Sequence, residues 1–409
     1  MPISKILVIG AGPSGLLLSL LLSRAGIPVE LIEQTAALDT NPRASHYTAE
    51  SCFEFDRAGV LPDIEKEGFF PDGVSWRRLD GERQRLCEIR NPVAAAEGGY
   101  RMVCLPLHRL GTILEKAFLE RGGVIRFGWK VVDVGEDEEG AWVEVEKEGT
   151  GERERRRGEY VVGCDGANST VRRRLFGEGV YPGFTWDKQI VATNMYYDFE
   201  PYDYDDSQFF VHPEHWHMVA KIQADGLYRV TYGEESGLTF EELKARQPEK
   251  FRAILPGNPT PNQYKLVNFS PYKVHQRCVD KMRVGRFLLA ADAAHLCNPW
   301  GGLGLTGGIA DVGSLYDCFV GIHTDRVDAD TILDKYDEVR RGIWHDIIDP
   351  HSQENMRRLF RFASPEEAME EDPFFKMMKR VKEGGEALPG PITLQHDMTQ
   401  YFRPLGGSG

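Results

Sequence analysis

Ile6-Leu7-Val8-Ile9, followed by Gly10-Ala11-Gly12-Pro13-Ser14-Gly15, decides how this chain is read, because the next apolar run, Val29-Glu30-Leu31-Ile32, ends on Glu33. Leu16 to Arg24 has helical character, so the glycines occupy a strand-to-helix turn. In such a turn Gly10 permits the tight bend, Gly12 lets the backbone approach a pyrophosphate, and Gly15 lets helix and strand pack closely. The start of the helix, with Pro13 and Ser14 in its first turn, offers free N–H groups and a positive dipole to an anion. Glu33, 23 positions after Gly10, is placed to accept hydrogen bonds from ribose hydroxyls. A glycine-rich turn alone would say little. Between these strands and with this acid it points to a dinucleotide, whose identity the segment leaves open.

Composition narrows the rest. A length of 409 residues fits two or three domains, or one large interleaved α/β body. With 49 basic against 63 acidic residues the net charge is −14, which disfavours nucleic acid or an anionic membrane as a partner. The seven cysteines (Cys52, Cys87, Cys104, Cys164, Cys278, Cys297 and Cys318) are odd in number, scattered and never spaced C-x-x-C, so they read as reduced thiols, and no metal site is expected. No secretory signal precedes the first strand, and the apolar run Leu16 to Leu22 is too short to span a bilayer. A cytoplasmic protein without a membrane span is expected.

Further along, Arg109 to Arg121 has helical spacing, while Val124 to Phe127, Val131 to Val134 and Trp142 to Val145 alternate like strands. Gly135 to Gly140 reads as a hairpin loop, and Gly149 to Gly158, rich in Glu and Arg, as a solvated hairpin tip. From about Gly183 to His275 the texture changes to alternating aromatic and polar residues, with strands at Val191 to Tyr197, Ser207 to His212, His217 to Ile222 and Leu227 to Tyr232. Tyr202 to Asp206 reads as an exposed turn. The nucleotide unit resumes at Phe287 to Ala291, which implies an inserted second domain with a reaction cleft between the two. The last forty or so residues carry little pattern and are expected to be partly mobile.

Two more stretches carry chemistry. Val161-Val162-Gly163-Cys164-Asp165-Gly166-Ala167-Asn168-Ser169 ends a buried strand in a carboxylate and a flexible turn, able to line a cofactor groove or simply to cap a helix starting at Ser169. Phe287 to Asp292 likewise ends a strand in a carboxylate, which needs hydroxyl or N–H partners when dry; a flavin's ribityl chain would supply hydroxyls. The glycines of Gly301 to Gly308 then open a helix whose start can stabilise negative charge on a reduced flavin ring.

With these three motifs in this order, the chain resembles the single-component FAD-dependent aromatic hydroxylases (group A flavoprotein monooxygenases), relatives of para-hydroxybenzoate and phenol hydroxylases, and more closely their fungal type. The resemblance spans about Lys5 to Arg340. It implies an α/β fold: a Rossmann-like FAD-binding domain with an inserted antiparallel-sheet substrate domain and a C-terminal helical segment. The divisions it suggests are 1–72, 100–182 and 276–345 for FAD, 73–99 and 183–275 for substrate, and 346–409 for a C-terminal helix and tail. By the same resemblance Gly10, Gly12, Pro13, Ser14, Gly15 and Glu33 hold the ADP half, Arg43 lies by the pyrophosphate and ring, and Asp292 holds the ribityl chain. Pro299 and the backbone of Gly302, Gly304 and Leu305 flank the isoalloxazine. Asp165 and Gly166 belong to a motif linked to both FAD and NAD(P)H, whose pyrophosphate would use Arg172. Three positions depart from the family pattern: Ala291 replaces a glycine, Thr306 an asparagine, and Leu107 a polar flavin contact for which Arg109, or else His108, is the substitute.

The implied reaction uses NADPH or NADH and O2 to hydroxylate a phenolic or other electron-rich aromatic small molecule through a flavin C4a-hydroperoxide. His46, His212, Trp216, His217, Tyr232 and His295 are candidates for lining the pocket or moving the phenolic proton, with His212 and Tyr232 first and Pro299 beside the ring. His212→Ala is expected to slow hydroxylation more than flavin reduction. A decarboxylating or dearomatising hydroxylase and an epoxidase share this cofactor cycle and are not separable here, and a homodimer fits the class. A flavin-dependent halogenase is disfavoured, since the chain has no tryptophan-rich motif of that family and no lysine placed to capture hypohalous acid. A non-catalytic escort module on the same nucleotide fold would lack the flavin-facing motifs, and its purified protein would be colourless.

Overall fold

The computed structural model describes residues 2–41, 46–80, 82–90, 99–390 and 392–402. Its first sheet has six strands in the order Arg283–Val284, Phe287–Leu289, Tyr160–Gly163, Ile6–Ile9, Val29–Glu33, Ile125–Phe127. All pairings are parallel except that of Arg283–Val284 with Phe287–Leu289. The central parallel strands are covered on both faces, which is why Ile6–Ile9, Tyr160–Gly163 and Phe287–Leu289 read as continuous apolar runs rather than alternations. The helices Pro13–Arg24, Leu107–Glu120 and Leu303–His323 belong to this half, and its core joins Leu7, Val8, Leu31, Val162 and Leu288 to Leu17, Leu114 and Val312.

The second sheet has eight strands in the order His295–Leu296, Lys265–Cys278, Gly183–Tyr196, Leu227–Glu234, His217–Lys221, Ser207–Val211, Gly73–Arg78, Arg85–Arg90. It is antiparallel apart from the parallel pair Ser207–Val211 with Gly73–Arg78, a join between segments remote in sequence. Period-2 alternation gives it two distinct faces. On one, Val191, Phe210, Val219, Val230 and Tyr232 pack against Leu243, Phe251 and Ile254 of the helix Phe240–Ile254. On the other, Ile190, Val211, Trp216 and Val274 pack against Trp300 and against Met356 and Leu359 of the helix Asp349–Phe360.

Three sequence expectations are corrected. Gly149 to Gly158 is not a hairpin tip throughout: Arg153–Gly158 is the third strand of a small antiparallel sheet, its arginines reaching Glu30, Asp137, Glu144 and Glu146. Tyr202 to Asp206 is not simply exposed, because Asp205 is buried and binds Arg77, Arg85 and Arg90. The C-terminal part holds a further helix, Pro373–Lys382, capped by Asp372 and burying Phe375 and Met378. In each case charged residues hid an element that is held by partners distant in sequence. Among the described residues, no helix is long and apolar enough to cross a membrane.

Candidate active site

The glycine turn does what its spacing requires. Gly10 has φ +101°, and a methyl group there would lie 2.5 Å from the Cys164 carbonyl oxygen; only glycine adopts this conformation at so close an approach. A methyl on Gly15 would sit 1.9 Å from the Gly10 oxygen. Gly12 differs: its backbone is extended, and nothing lies within 4 Å of the place a methyl would take. Gly12 caps the helix Pro13–Arg24 without a side-chain hydrogen bond, so first-turn N–H groups are left for an anion. Ser14, in that turn, is buried.

Glu33 is anchored at both oxygens. One accepts the Ala11 N–H at 2.7 Å, the other the Thr35 N–H and hydroxyl, each at 2.8 Å. Together with Gly10, Gly12, Trp129, Asp165 and Gly166 it lines a groove of about 200 Å³. One oxygen of Asp165 accepts N–H groups of Thr170 and Val171 at 2.7 and 3.2 Å, and Ser169 caps the same helix, so the capping reading is right for half of this carboxylate. The other oxygen is buried with no hydrogen-bond partner among the described residues. Burial raises the carboxyl above its usual range, against the hydrogen bonds from Ser169 and the helix start. A buried acceptor facing a groove calls for a hydroxyl or N–H donor.

Arg172 does not reach outward to a second nucleotide. It is buried, donates to the Ala293 and Ala167 carbonyls at 3.0 and 2.7 Å, and lies over the Tyr181 ring, whose hydroxyl donates to the Asp292 carbonyl at 3.0 Å. It therefore ties the Asp165 turn to the Asp292 turn. Asp292 and Pro299 are exposed. Gly302, with φ +70°, starts the helix Leu303–His323 without a side-chain cap, leaving N–H groups of Leu303, Gly304 and Leu305 free of intrahelical acceptors. Gln276 fixes the preceding loop by accepting both the backbone and side-chain N–H of Asn298, at 2.7 and 3.0 Å. Arg109 is spent on Glu67, at 3.1 and 2.6 Å, and that ion pair would have to open before Arg109 met a cofactor. Arg43 lies outside the described residues.

The structure does not bring the two first-choice pocket residues together at the Pro299 loop. The His212 Nδ1 accepts the N–H groups of Glu214 and His215 at 3.1 and 2.9 Å, so the ring closes a turn. Tyr232 is buried on the face covered by the helix Phe240–Ile254, with burial pushing its phenol far up. His217 is stacked on Phe210 on that same face. Trp216 packs against Trp300, and His295 donates to the buried Asp311 at 2.7 Å.

Sequence reasoning missed the polar residues of the opposite face. Along Leu227–Glu234, Val230 and Tyr232 point to the helix, so Arg229, Thr231 and Gly233 point toward the Trp300 side. The Arg229 Nε donates to Asn194 on the adjacent strand at 3.1 Å. Tyr272 shares this face: 41% of its surface is exposed, yet surrounding protein pushes its phenol up to about 12 while Arg229 pulls it down. His46 lies 3.2 Å from the Ser207 hydroxyl, and burial together with the Arg229 charge lowers it to about 4, so it is neutral at ordinary pH. The available signal was the alternation itself, which puts these polar residues on one face but does not say what that face meets.

The glycine turn, the orphan Asp165 oxygen and the uncapped helix start at Gly302 fit FAD, and fold and site together define a flavin-nucleotide-binding α/β protein. Residues 4–350 match the family described as FAD binding domain, and the chain belongs to it. It is 34% identical over 374 residues to para-nitrophenol 4-monooxygenase of Pseudomonas sp. strain WBC-3, covering 91% of each chain. It is 32% identical to 6-hydroxy-3-succinoylpyridine 3-monooxygenase of Pseudomonas putida, covering 87% of this chain and 89% of the relative. The crystal structure of p-nitrophenol 4-monooxygenase from Pseudomonas putida superposes with a TM-score of 0.85 at 30% identity, over 95% of this chain and all of that one. FAD is thus its cofactor, and monooxygenation of an aromatic substrate with O2 and reduced nicotinamide its class of reaction.

Proposed function

We propose that the chain hydroxylates a phenolic ring held between the inward face of the eight-stranded sheet and the Asn298 to Leu305 loop. The observation that carries this reading is the set Arg229, Asn194 and Tyr272 on the sheet face that also carries Phe209, with His46 of the separate strand His46–Tyr47 set against Ser207 on that face; Phe209 and Trp216 both pack on Trp300, the residue after Pro299. Arg229, steadied by Asn194, supplies a cation for a phenolate oxygen or another anionic ring substituent. Neutral His46, with Ser207, is in a state to hydrogen-bond the phenolic hydroxyl. The aromatic wall of Trp216, Phe209 and Trp300 keeps water from one end of the cleft.

On the cofactor side, Gly10, Gly12, Pro13, Ser14 and Gly15 would hold the pyrophosphate at the helix start, Glu33 and the open Asp165 oxygen the sugar hydroxyls, and Asp292 the ribityl chain. The N–H groups of Gly304 and Leu305, behind Gly302, would face the ring with Pro299 at its edge. When bound, FAD supplies the redox chemistry that joins nicotinamide oxidation to oxygen transfer. Arg43 belongs to the proposal through its sequence context alone. The division into FAD-binding and substrate-binding parts is supported by the two sheets, except that His295–Leu296, within 276–345, pairs in the eight-stranded one. Cytoplasmic residence, supported by seven cysteines of which none is paired in a disulfide, and a homodimer complete the reading.

The test is NAD(P)H consumption by the yellow holoenzyme under oxygen across a panel of phenols, with para-nitrophenol first because two of the similar proteins act on it by name. One added oxygen atom in the product is expected. Nicotinamide oxidation that yields only peroxide with every phenol would refute the phenolic assignment.

A further inference from the structure

Ala291 is one of five non-glycine residues with positive φ among the described residues, at +55°, and it stands immediately before Asp292. Its N–H donates at 2.9 Å to Asp311, a fully buried carboxylate on the helix Leu303–His323. The same oxygen of Asp311 accepts the His295 Nε2 at 2.7 Å, and the other accepts the Arg340 Nε at 2.7 Å. Arg340, also fully buried, donates in addition to the carbonyls of Gly307 and Leu394, at 3.2 and 2.5 Å. Burial would raise the Asp311 carboxyl, but His295 and Arg340 hold it below its ordinary value, so it is ionised.

The turn is crowded as well as left-handed. A methyl on Gly308 would come within 2.6 Å of the Ala291 Cβ and 3.4 Å of the Ser14 hydroxyl, so the glycine-turn helix, the Asp292 turn and the long helix meet at this point. An alanine in the left-handed region is disfavoured by about tenfold or more against its extended form, whereas glycine is not. A charge-assisted hydrogen bond to its N–H is strong enough to oppose that preference.

We propose that Asp311 is a positioning residue for the cofactor: by accepting the Ala291 N–H it locks the left-handed alanine and so fixes the direction in which Asp292 is presented. Arg340 and His295 hold Asp311 in the orientation this requires. The inference rests on the reading that Asp292 binds FAD, and the experiment separates the two.

FAD binding to the apoprotein is measured by fluorescence titration for Asp292→Asn, Asp311→Asn, Ala291→Gly and the double variant Asp311→Asn with Ala291→Gly, each with its thermal midpoint. Asp292→Asn is expected to weaken FAD; unchanged affinity there would remove the underlying reading. Asp311→Asn is expected to weaken FAD about tenfold, and glycine at 291 to restore most of that affinity while the lowered thermal midpoint persists. Asp311→Asn binding FAD like the parent, or no recovery in the double variant, overturns the positioning role and leaves Asp311 a packing ion pair. Should Asp311→Asn fail to fold, Ala291→Gly alone decides: FAD affinity equal to or tighter than the parent supports the proposal, and a loss above about fivefold overturns it, because relieving the strain costs nothing if the strain is what Asp311 offsets.

Discussion

The groove under Gly10 to Gly15 and the face of the eight-stranded sheet turned toward Trp300 are built on opposite terms. The groove is made of backbone: a bend, an open approach and uncapped N–H groups, all within 24 consecutive residues from Gly10 to Glu33. The sheet face is made of side chains, Arg229, Asn194, Tyr272, Ser207 and His46, brought from five separate segments. A backbone site tolerates almost no change in main-chain shape but is indifferent to most side chains. A side-chain site has the reverse tolerance, which is how one cofactor-binding frame can accept different aromatic substrates.

The comparison breaks most visibly at Gly10. Gly10→Ala places a Cβ 2.5 Å from backbone in a left-handed conformation and is expected to cost about 3 kcal/mol or more. Low thermal stability and a colourless preparation should result, and a stable yellow variant would show that the turn is not closed by this contact. Next, Arg229→Met is expected to raise KM for a phenolic substrate about 10- to 100-fold, the loss of a charge-assisted hydrogen bond. The FAD dissociation constant should stay within about twofold in this variant. If cofactor and substrate affinity fall together, the two regions are not separate.

Gly12→Ala sharpens the contrast with Gly10. Its backbone suits any residue and its methyl meets no protein atom, so apoprotein stability should hold within about 0.5 kcal/mol. FAD affinity should drop about tenfold or more, because the methyl occupies the path of the pyrophosphate. Equal affinity in a titration would place the pyrophosphate elsewhere.

His46 gives a pH signature of the sheet face. Its folded value, about 4, lies below the ordinary 6.5, so the unfolded chain binds the extra proton between these values. Its contribution to stability is therefore fully present above pH 6.5 and is lost as pH falls toward 4, at no more than about 1.4 kcal/mol per pH unit. His46→Gln should flatten that part of the stability-pH curve, and an unaltered slope would mean His46 is not shielded. The smallest effect is expected at His212, whose ring closes a turn: His212→Ala should change the hydroxylation rate by less than about twofold while costing about 1 kcal/mol of stability. A selective loss of hydroxylation in stopped-flow traces would return His212 to the mechanism.

What was legible in the sequence follows the same divide. Strands Ile6–Ile9 and Val29–Glu33, the turn between them and the long helix after Gly302 were readable because each is specified by neighbours a few residues away. Four strands of the inserted sheet were also found, since alternation is local, while Lys265–Cys278, Gly73–Arg78, Arg85–Arg90 and His295–Leu296 were not. Which face of that sheet meets the rest of the molecule was not, so Tyr232 was taken for a pocket residue and Arg229 passed over.

By itself, then, the amino-acid sequence pointed to a dinucleotide through its first strand-to-helix turn, and the ordered motifs pointed to a flavin hydroxylase. Tertiary structure alone decided that Asp311 reaches back to Ala291, that Arg172 joins the Asp165 and Asp292 turns, and that the Arg229 charge comes close enough to His46 to lower it. The physical reason is one of range. Main-chain geometry in a turn is fixed by the residues in it, whereas the partner of a side chain on a sheet is fixed by which strands pair and which face is covered.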